Sequence, residues 1–75
     1  MEAYKNVAGD SAVVAYEIGD DSIKVQFHDG WIYTYTNEST GRDNIEHMKT
    51  LASAGSGLNS FISRVVKEQY AAKSR

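Results

Sequence analysis

The segment Gly55-Ser56-Gly57-Leu58-Asn59 has the composition of a backbone anion site, because it comes just before a predicted helix. The first amides of a helix have no intrahelical acceptor, and the helix dipole places partial positive charge beside them. Two glycines allow a phosphate or carboxylate to approach the backbone closely. On the helix itself, a polar ridge follows the spacing i, i+3, i+4, i+7 through Ser60, Ser63, Arg64 and Lys67. We therefore predict a ligand-binding site for a phosphate group that consists of Gly57, Asn59, Ser60, Arg64 and Lys67.

The same glycines also suit a purely structural role. A tight corner between two helices would use Gly55 as the C-terminal cap of the first helix and Ser56 as the N-cap of the second. The segment lacks the Gly-x-x-x-x-Gly-Lys-Ser/Thr pattern of a P-loop, so nucleoside triphosphate chemistry is not inferred. Both interpretations of the segment stay open.

Tyr33 and Tyr35 flank Thr34 in a predicted strand, so both rings belong to the same face. On a solvent-facing sheet these rings could stack on nucleobases, a contact worth about 1 to 3 kcal/mol per base. Under covering helices they would instead belong to the core, with their hydroxyls at the rim of the sheet. We favour the core role, which depends on the hairpin register considered below.

No residue pattern in the chain indicates catalysis or a bound metal. His28 and His47 are the only histidines, fall on different predicted elements and have no carboxylate at metal-ligand spacing. Asp20, Asp21 and Asp29 fall in predicted turns and lack the residue order of a calcium-binding loop. We expect a protein that is not an enzyme and that has no cofactor and no metal.

Charge is distributed unevenly along the chain. The 75 residues carry a net charge of -2, which argues against indiscriminate nucleic-acid binding. From Arg64 onward the basic residues exceed the acidic ones by 3, whereas the preceding residues carry -5. A basic C-terminal edge on an acidic body suits a small anion-binding patch. It equally suits basic residues that complement the C-terminal end of the last helix.

Length and composition predict one small domain over residues 1–75. A chain of this size buries only about 60 % of its unfolded surface on folding, and this one has no cysteine for a disulfide. Self-association into a homo-oligomer is therefore one way for the domain to gain stability. No apolar run approaches the roughly 20 residues that span a bilayer, and the N-terminus has no signal-peptide core. We expect no membrane contact and a cytoplasmic location.

Three segments have the composition of β-strands, namely residues 12–18, 23–28 and 31–36. Alternation in the first strand predicts that Val14, Tyr16 and Ile18 share one face. Turn chemistry separates the strands, through residues 19–22 and through Asp29-Gly30. Residues 1–11 form a lead-in without a sustained period.

The length of the loop at Asp29-Gly30 decides which face of the third strand is buried. A two-residue loop would pair His28 with Trp31, whereas a three-residue loop with Gly30 at positive φ would pair Phe27 with Trp31. We favour the longer loop, because it aligns the three aromatic residues of the third strand with Phe27 and the other apolar residues of the second. Each large apolar side chain left in water would cost roughly 1.5 to 3 kcal/mol.

Helical periodicity begins after residue 41. Thr40 and Asp43 have the spacing of a capping box, and apolar residues recur every three or four positions over 42–54. A second helix is predicted over 58–71, and the tail 72–75 is expected to fray. The apolar stripes of the two helices contain Ile45, Met48, Leu51, Ala52, Leu58, Phe61, Ile62, Val65 and Val66.

Strands followed by helices predict the α+β class. The expected architecture is a three-stranded antiparallel β-meander followed by two helices packed on one face, in the order βββαα.

The Tyr33-Thr34-Tyr35 triplet, the Gly55-Ser56-Gly57-Leu58-Asn59 segment, and Ile62, Arg64 and Tyr70 together resemble the KTSC domain. This small domain is named for its place at the C-terminus of some lysyl-tRNA synthetases, and it also occurs alone in small bacterial and phage proteins. The resemblance spans residues 10–70 and implies the same βββαα architecture. It directs attention first to Asn59 and Arg64, because the family motif holds an Asn and a basic residue near this point. Leu58 departs from the larger aromatic residues that the family often has there.

The leading functional hypothesis is a non-catalytic binding module for RNA or a phosphate-bearing nucleotide. Its RNA element comes from the resemblance to a synthetase appendage, which is an associational argument. The alternative is a small bacterial or phage-encoded oligomer that binds or inhibits a host protein. A groove lined by Ser60, Arg64 and Lys67 would favour the first hypothesis, and an exposed apolar patch would favour the second.

Overall fold

The computed structural model describes residues 1–9 and 11–75 as a five-stranded antiparallel sheet with helices after the fourth strand. The strands lie in the sheet in their sequence order: β1 Glu2–Ala3, β2 Val13–Ile18, β3 Ser22–Phe27, β4 Ile32–Thr36 and β5 Ala72–Ser74. The helices are α1 Asn37–Thr40, α2 Arg42–Ala54 and α3 Leu58–Phe61, and α3 continues into a π-helical turn, Ile62–Val66. Asp10, the first residue of the KTSC resemblance, lies outside the described residues. The predicted α+β class is confirmed.

The sequence predicts a three-stranded sheet, and this prediction is wrong because the structure has an additional strand at each edge. Part of the predicted lead-in forms β1, in which Glu2 pairs with Tyr16. Part of the predicted frayed tail forms β5, in which Ala72 pairs with Thr34. Strands of two and three residues are too short to show an alternating pattern, and they exist only because β2 and β4 offer unpaired backbone groups.

A β-bulge in β2 changes which of its residues face the core. Val13 pairs with Phe27 and Ala15 with Gln26, so β2 uses two residues where β3 uses one. Val13 is therefore buried, whereas Val14 is 43 % exposed. The predicted face of Val14, Tyr16 and Ile18 is wrong, since only Tyr16 of the three is buried.

The β3–β4 hairpin adopts the favoured register. The Phe27 amide donates to the Trp31 carbonyl at 2.9 Å, and Gly30 has a φ of 93°. Val25 consequently pairs with Tyr33. This result confirms the three-residue loop and the alignment of the aromatic residues with the apolar residues of β3.

The helix boundaries differ from those predicted at both N-terminal caps. The capping box forms one turn earlier, where the Thr36 hydroxyl accepts from the Ser39 amide at 3.1 Å, so residues 37–40 are helical instead of a loop. Gly55 is the left-handed C-terminal cap of α2, as predicted. Gly57, and not Ser56, precedes α3 as its N-cap.

The predicted helix 58–71 ends at Val66. Its last turn is π-helical, closed by a bond from the Lys67 amide to the Ile62 carbonyl at 2.7 Å. The wider turn shifts the phase of the side chains, so Val66 is fully buried and Val65 is 47 % exposed. Val65 was predicted to pack on the sheet, and that prediction is wrong.

One core cluster joins the sheet to the helices. Its buried members are Tyr4, Val13, Tyr16, Ile23, Val25, Tyr35, Ile45, Met48, Ala52, Leu58, Ile62 and Val66. No helix in the described part of the chain is long and apolar enough to cross a membrane.

Candidate functional site

The five predicted site residues do not line one cavity. Gly57, Asn59 and Ser60 line a cavity of about 370 Å³, which we call the corner cavity. Lys67 is exposed and lines a different cavity, and Arg64 is exposed and lines neither. The predicted ridge assumed α-helical spacing, and the π-helical turn from Ile62 removes that spacing.

The corner cavity lies between the N-terminal segment and the α2–α3 connection. Its lining is neutral and small: Tyr4, Asn6, Ala8, Ser11, Gly55, Ser56, Gly57, Asn59 and Ser60. One amide of the first turn of α3 is already engaged, because the Leu58 amide donates to the Tyr4 hydroxyl at 3.3 Å. Among the described residues no cation lines this cavity, so its geometry gives a phosphate little of the charge compensation that anion binding needs.

Cations and aromatic rings meet instead at the β4–β5 edge of the sheet. Lys73 Nζ lies 5.2 Å from the centre of the Trp31 ring and 5.9 Å from that of Tyr70. Arg75 Cζ lies 5.4 Å from the Trp31 ring. We call these four residues, Trp31, Tyr70, Lys73 and Arg75, the aromatic–basic surface. They come together because β5 runs beside β4, which puts Lys73 opposite Tyr33.

Three rings behind this surface hold it in place. Tyr33 contacts Tyr70 edge-to-face with ring centres 4.8 Å apart, and it contacts Phe27 in the same way at 5.3 Å. Tyr35 meets Tyr70 at 6.3 Å. Such pairs are worth about 0.5 to 1.5 kcal/mol each beyond the area they bury. The aromatic residues thus form a packed block with one side open to solvent.

Burial raises the pKa of Tyr35 to about 12, and the neighbouring Tyr33 and Tyr70 contribute to the rise. Tyr35 therefore remains a neutral phenol over the ordinary pH range, and a neutral phenol can both donate and accept a hydrogen bond.

The two tyrosines of the triplet have different environments. Tyr35 is 1 % exposed, in agreement with the predicted core role. Tyr33 is only half-buried and lines a cavity of about 260 Å³, which we call the hairpin cavity. The lining of the hairpin cavity is Ala12, Phe27, His28, Asp29, Tyr33, Tyr35, Ile62 and Lys67. The inference that the favoured register buries both rings therefore holds for Tyr35 only.

Among the described residues, no carboxylate lies at salt-bridge distance from the cations near the aromatic block. Within residues 1–9 and 11–75, the ion pair at salt-bridge distance joins Lys49 and Glu46 at 3.3 Å, on the exposed side of α2. Lys67, Lys73 and Arg75 are all exposed. Their charge is consequently available to an external anion.

Sequence reasoning recognised the basic C-terminal edge but not its target. Lys73 and Arg75 are two residues apart, a spacing that puts both on one face of a strand. This spacing was not interpreted as a strand, because residues 72–75 were expected to fray. The contact with Trp31 was not predicted either, because Trp31 lies about forty residues away in sequence.

Among the residues with described structure, neither the histidines nor the aspartates form a cluster that could hold a metal ion. Across the described residues, no group of three or more metal-ligating side chains could hold an ion. His47 packs against Phe61 with ring centres 4.6 Å apart, whereas His28 follows β3 and lines the hairpin cavity. Asp29 acts in its turn, because its carboxylate accepts from the Trp31 amide at 3.1 Å.

The chain was compared with families, proteins and structures already characterised. No family model matches it. No curated protein and no solved structure matches it either.

Proposed function

We propose that the protein is a non-catalytic binding module for single-stranded RNA or a phosphate-bearing nucleotide, and that the aromatic–basic surface is its contact surface. The observation that carries the proposal is the placement of Lys73 and Arg75 beside the Trp31 ring, with Tyr70 adjacent. Proteins that bind single strands without strict sequence preference combine these two elements, cations for the backbone and rings for the bases.

Stacking and charge would act together on this surface. A base that stacks on Trp31 or Tyr70 contributes about 1 to 3 kcal/mol, and it releases Lys73 and Arg75 from the rings toward the phosphates. With Lys67 nearby, three cations are available. The slope of log K against log salt for a single strand is then about -2, shallow beside that of dedicated nucleic-acid proteins.

The resemblance to the KTSC domain supports the RNA element of this proposal. Membership of that family is itself part of the proposal. The acidic remainder of the chain is consistent with a small, localised contact, since repulsion would weaken binding elsewhere.

A partner protein is the second candidate, and one observation favours it. Met1 and Ile18 are 51 % and 44 % exposed and line one cavity of about 580 Å³ together with Glu2 and Glu17. Exposed apolar side chains beside carboxylates suit a contact with an apolar and basic protein surface. Native mass spectrometry of protein purified from cells would detect such a partner, a homo-oligomer or a retained nucleotide.

An NMR titration of isotope-labelled protein with a short single-stranded RNA and with mononucleotides tests the leading proposal. We expect the largest amide shifts at Trp31, Tyr70 and Lys73. Shifts confined to Gly57, Asn59 and Ser60 would move the site to the corner cavity. No shifts at millimolar ligand would exclude the nucleotide proposal and favour the partner protein.

A further inference from the structure

We propose that the hairpin cavity holds one unstacked nucleobase of the bound ligand, with the sugar and phosphate outside it. This inference depends on the proposed function, because it assigns a pocket to the ligand that the aromatic–basic surface attracts. It concerns the cavity bounded by the β3–β4 loop on one side and by the π-helical turn on the other.

The cavity has the size of one ring system. Its volume of about 260 Å³ is below the roughly 300 to 1,000 Å³ of pockets that enclose drug-sized ligands. A whole nucleotide would not be enclosed, whereas a planar base alone can be accommodated. The size therefore favours a base inside and a backbone outside.

The walls are suited to a flat aromatic group. Phe27 and Tyr33 contribute rings, and Ile62 contributes an aliphatic surface. Tyr35 also lines the cavity and is 1 % exposed. A base carries ring nitrogens and carbonyl or amino groups that can form hydrogen bonds with tyrosine hydroxyls in the lining.

The charges around the cavity exclude the phosphate from its interior. Asp29 is part of the lining and would repel a phosphate placed inside. Lys67 is the cation of the lining and is exposed, so its ammonium group can contact a phosphate held outside. The positions of Asp29 and Lys67 thus orient the ligand, with its base inward and its backbone toward Lys67.

Tyr33 connects the cavity to the aromatic–basic surface. It lines the cavity, and its ring centre is 4.8 Å from that of Tyr70, which lies under Lys73. A strand with one base in the cavity can therefore place a neighbouring base near Tyr70 and its phosphate near Lys73. Two adjacent subsites would explain why both a pocket and an open surface occur at this end of the sheet.

The test uses the ring current of the inserted base. In methyl-labelled protein, adenosine monophosphate should shift the Ile62 and Ala12 methyl signals, since both residues line the cavity. Ribose phosphate, which has the phosphate but no base, should leave both signals in place. Unmoved methyl signals at saturating adenosine monophosphate would overturn the inference. If RNA still shifted the Trp31 signals in that case, the proposed function would stand without the pocket.

Matched variants of Tyr33 provide a second measurement. Tyr33→Leu removes the stacking ring and should weaken adenosine monophosphate binding roughly tenfold, whereas Tyr33→Phe keeps the ring and should bind within about threefold of the parent. Both variants are first compared with the parent by thermal unfolding. Equal affinity for all three folded proteins would overturn the pocket. Absence of any nucleotide or RNA binding by the parent would overturn the proposed function as well.

Discussion

The Thr40 hydroxyl donates a hydrogen bond to the Gln69 carbonyl at 2.6 Å and thereby fixes α1 to the chain that precedes β5. Thr40 is buried, and the next backbone link along that chain runs from the Ala71 amide to the Thr34 carbonyl at 2.7 Å. These two bonds are made by Gln69 and Ala71, the residues on either side of Tyr70 in the sequence. They hold its ring against Tyr33 and thus position the aromatic–basic surface.

Replacing Thr40 by Val should destabilise the fold and loosen its C-terminal edge. The shape is conserved while the hydrogen bond is lost, which costs about 1 kcal/mol, or up to about 3 if the carbonyl is left unsatisfied. Thr40→Ser retains the hydroxyl and is the control. Urea unfolding measures the free energy, and amide exchange in β5 should accelerate in the Val variant. Equal unfolding midpoints for the Val and Ser variants would show that the bond has no energetic role.

Substitution by alanine should destabilise the fold by different amounts at Gly30 and Gly55, two glycines with positive φ. Gly30 has a φ of 93° and no atom near the position of a Cβ, so Gly30→Ala should cost only the conformational penalty of about 1 kcal/mol. Gly55 has a φ of 75°, and a Cβ there would collide with the Lys5 side chain. Gly55→Ala should therefore cost clearly more, as judged by chemical denaturation. A smaller loss for Gly55→Ala than for Gly30→Ala would contradict the packing of residue 5 against the α2 cap.

Adjacent valines at the end of the last helix test the π-helical turn. Val66 is fully buried, so Val66→Ala should lose roughly 1.5 to 3 kcal/mol. Val65 is 47 % exposed, and Val65→Ala should stay within about 0.5 kcal/mol of the parent. Thermal unfolding of both variants distinguishes this arrangement from a regular α-helix. Similar losses in both variants would instead support the stripe predicted from the sequence, which contains both valines.

Sequence patterns were sufficient where a segment is long enough to repeat. The alternation in β3, the loop chemistry at Gly30 and the periodicity of α2 all led to correct elements. They were insufficient at β1 and β5, which have two and three residues, too few to show an alternating pattern, and which form only by pairing. They also failed at Val14 and Val65. A β-bulge and a π-helical turn each insert one residue, so the residues beyond them no longer follow the regular spacing on which the burial prediction was based.

Alkaline pH should weaken the fold through Tyr35. Burial, with Tyr33 and Tyr70 nearby, raises the pKa of Tyr35 from 10.0 to about 12. The folded state holds this proton more tightly than the unfolded state does, so the resulting stability is complete below about pH 10 and is lost as the pH rises toward 12. Unfolding free energies measured across this range should decline, and the decline should be smaller in Tyr35→Phe. An identical decline in both proteins would show that Tyr35 titrates as an exposed tyrosine.

The predicted site residues do not share one cavity. Gly57, Asn59 and Ser60 line the corner cavity, Lys67 lines the hairpin cavity, and Arg64 lines neither. The contact between Trp31 and Lys73 could not be inferred from the sequence. It depends on a strand of three residues and on the hydrogen bond from the Thr40 hydroxyl to the Gln69 carbonyl, and no local sequence pattern predicts either.

The most direct test of the account is the affinity for a short single-stranded RNA, measured through the fluorescence of Trp31, the only tryptophan in the chain. The parent is compared with Lys73→Glu and with Arg64→Glu, which reverses the same charge on the π-helical turn. We predict that RNA quenches Trp31, that Lys73→Glu weakens binding roughly tenfold, and that Arg64→Glu has an effect below about threefold. Loss of affinity in Arg64→Glu with normal affinity in Lys73→Glu would contradict the proposed surface and return the site to the polar ridge of the last helix.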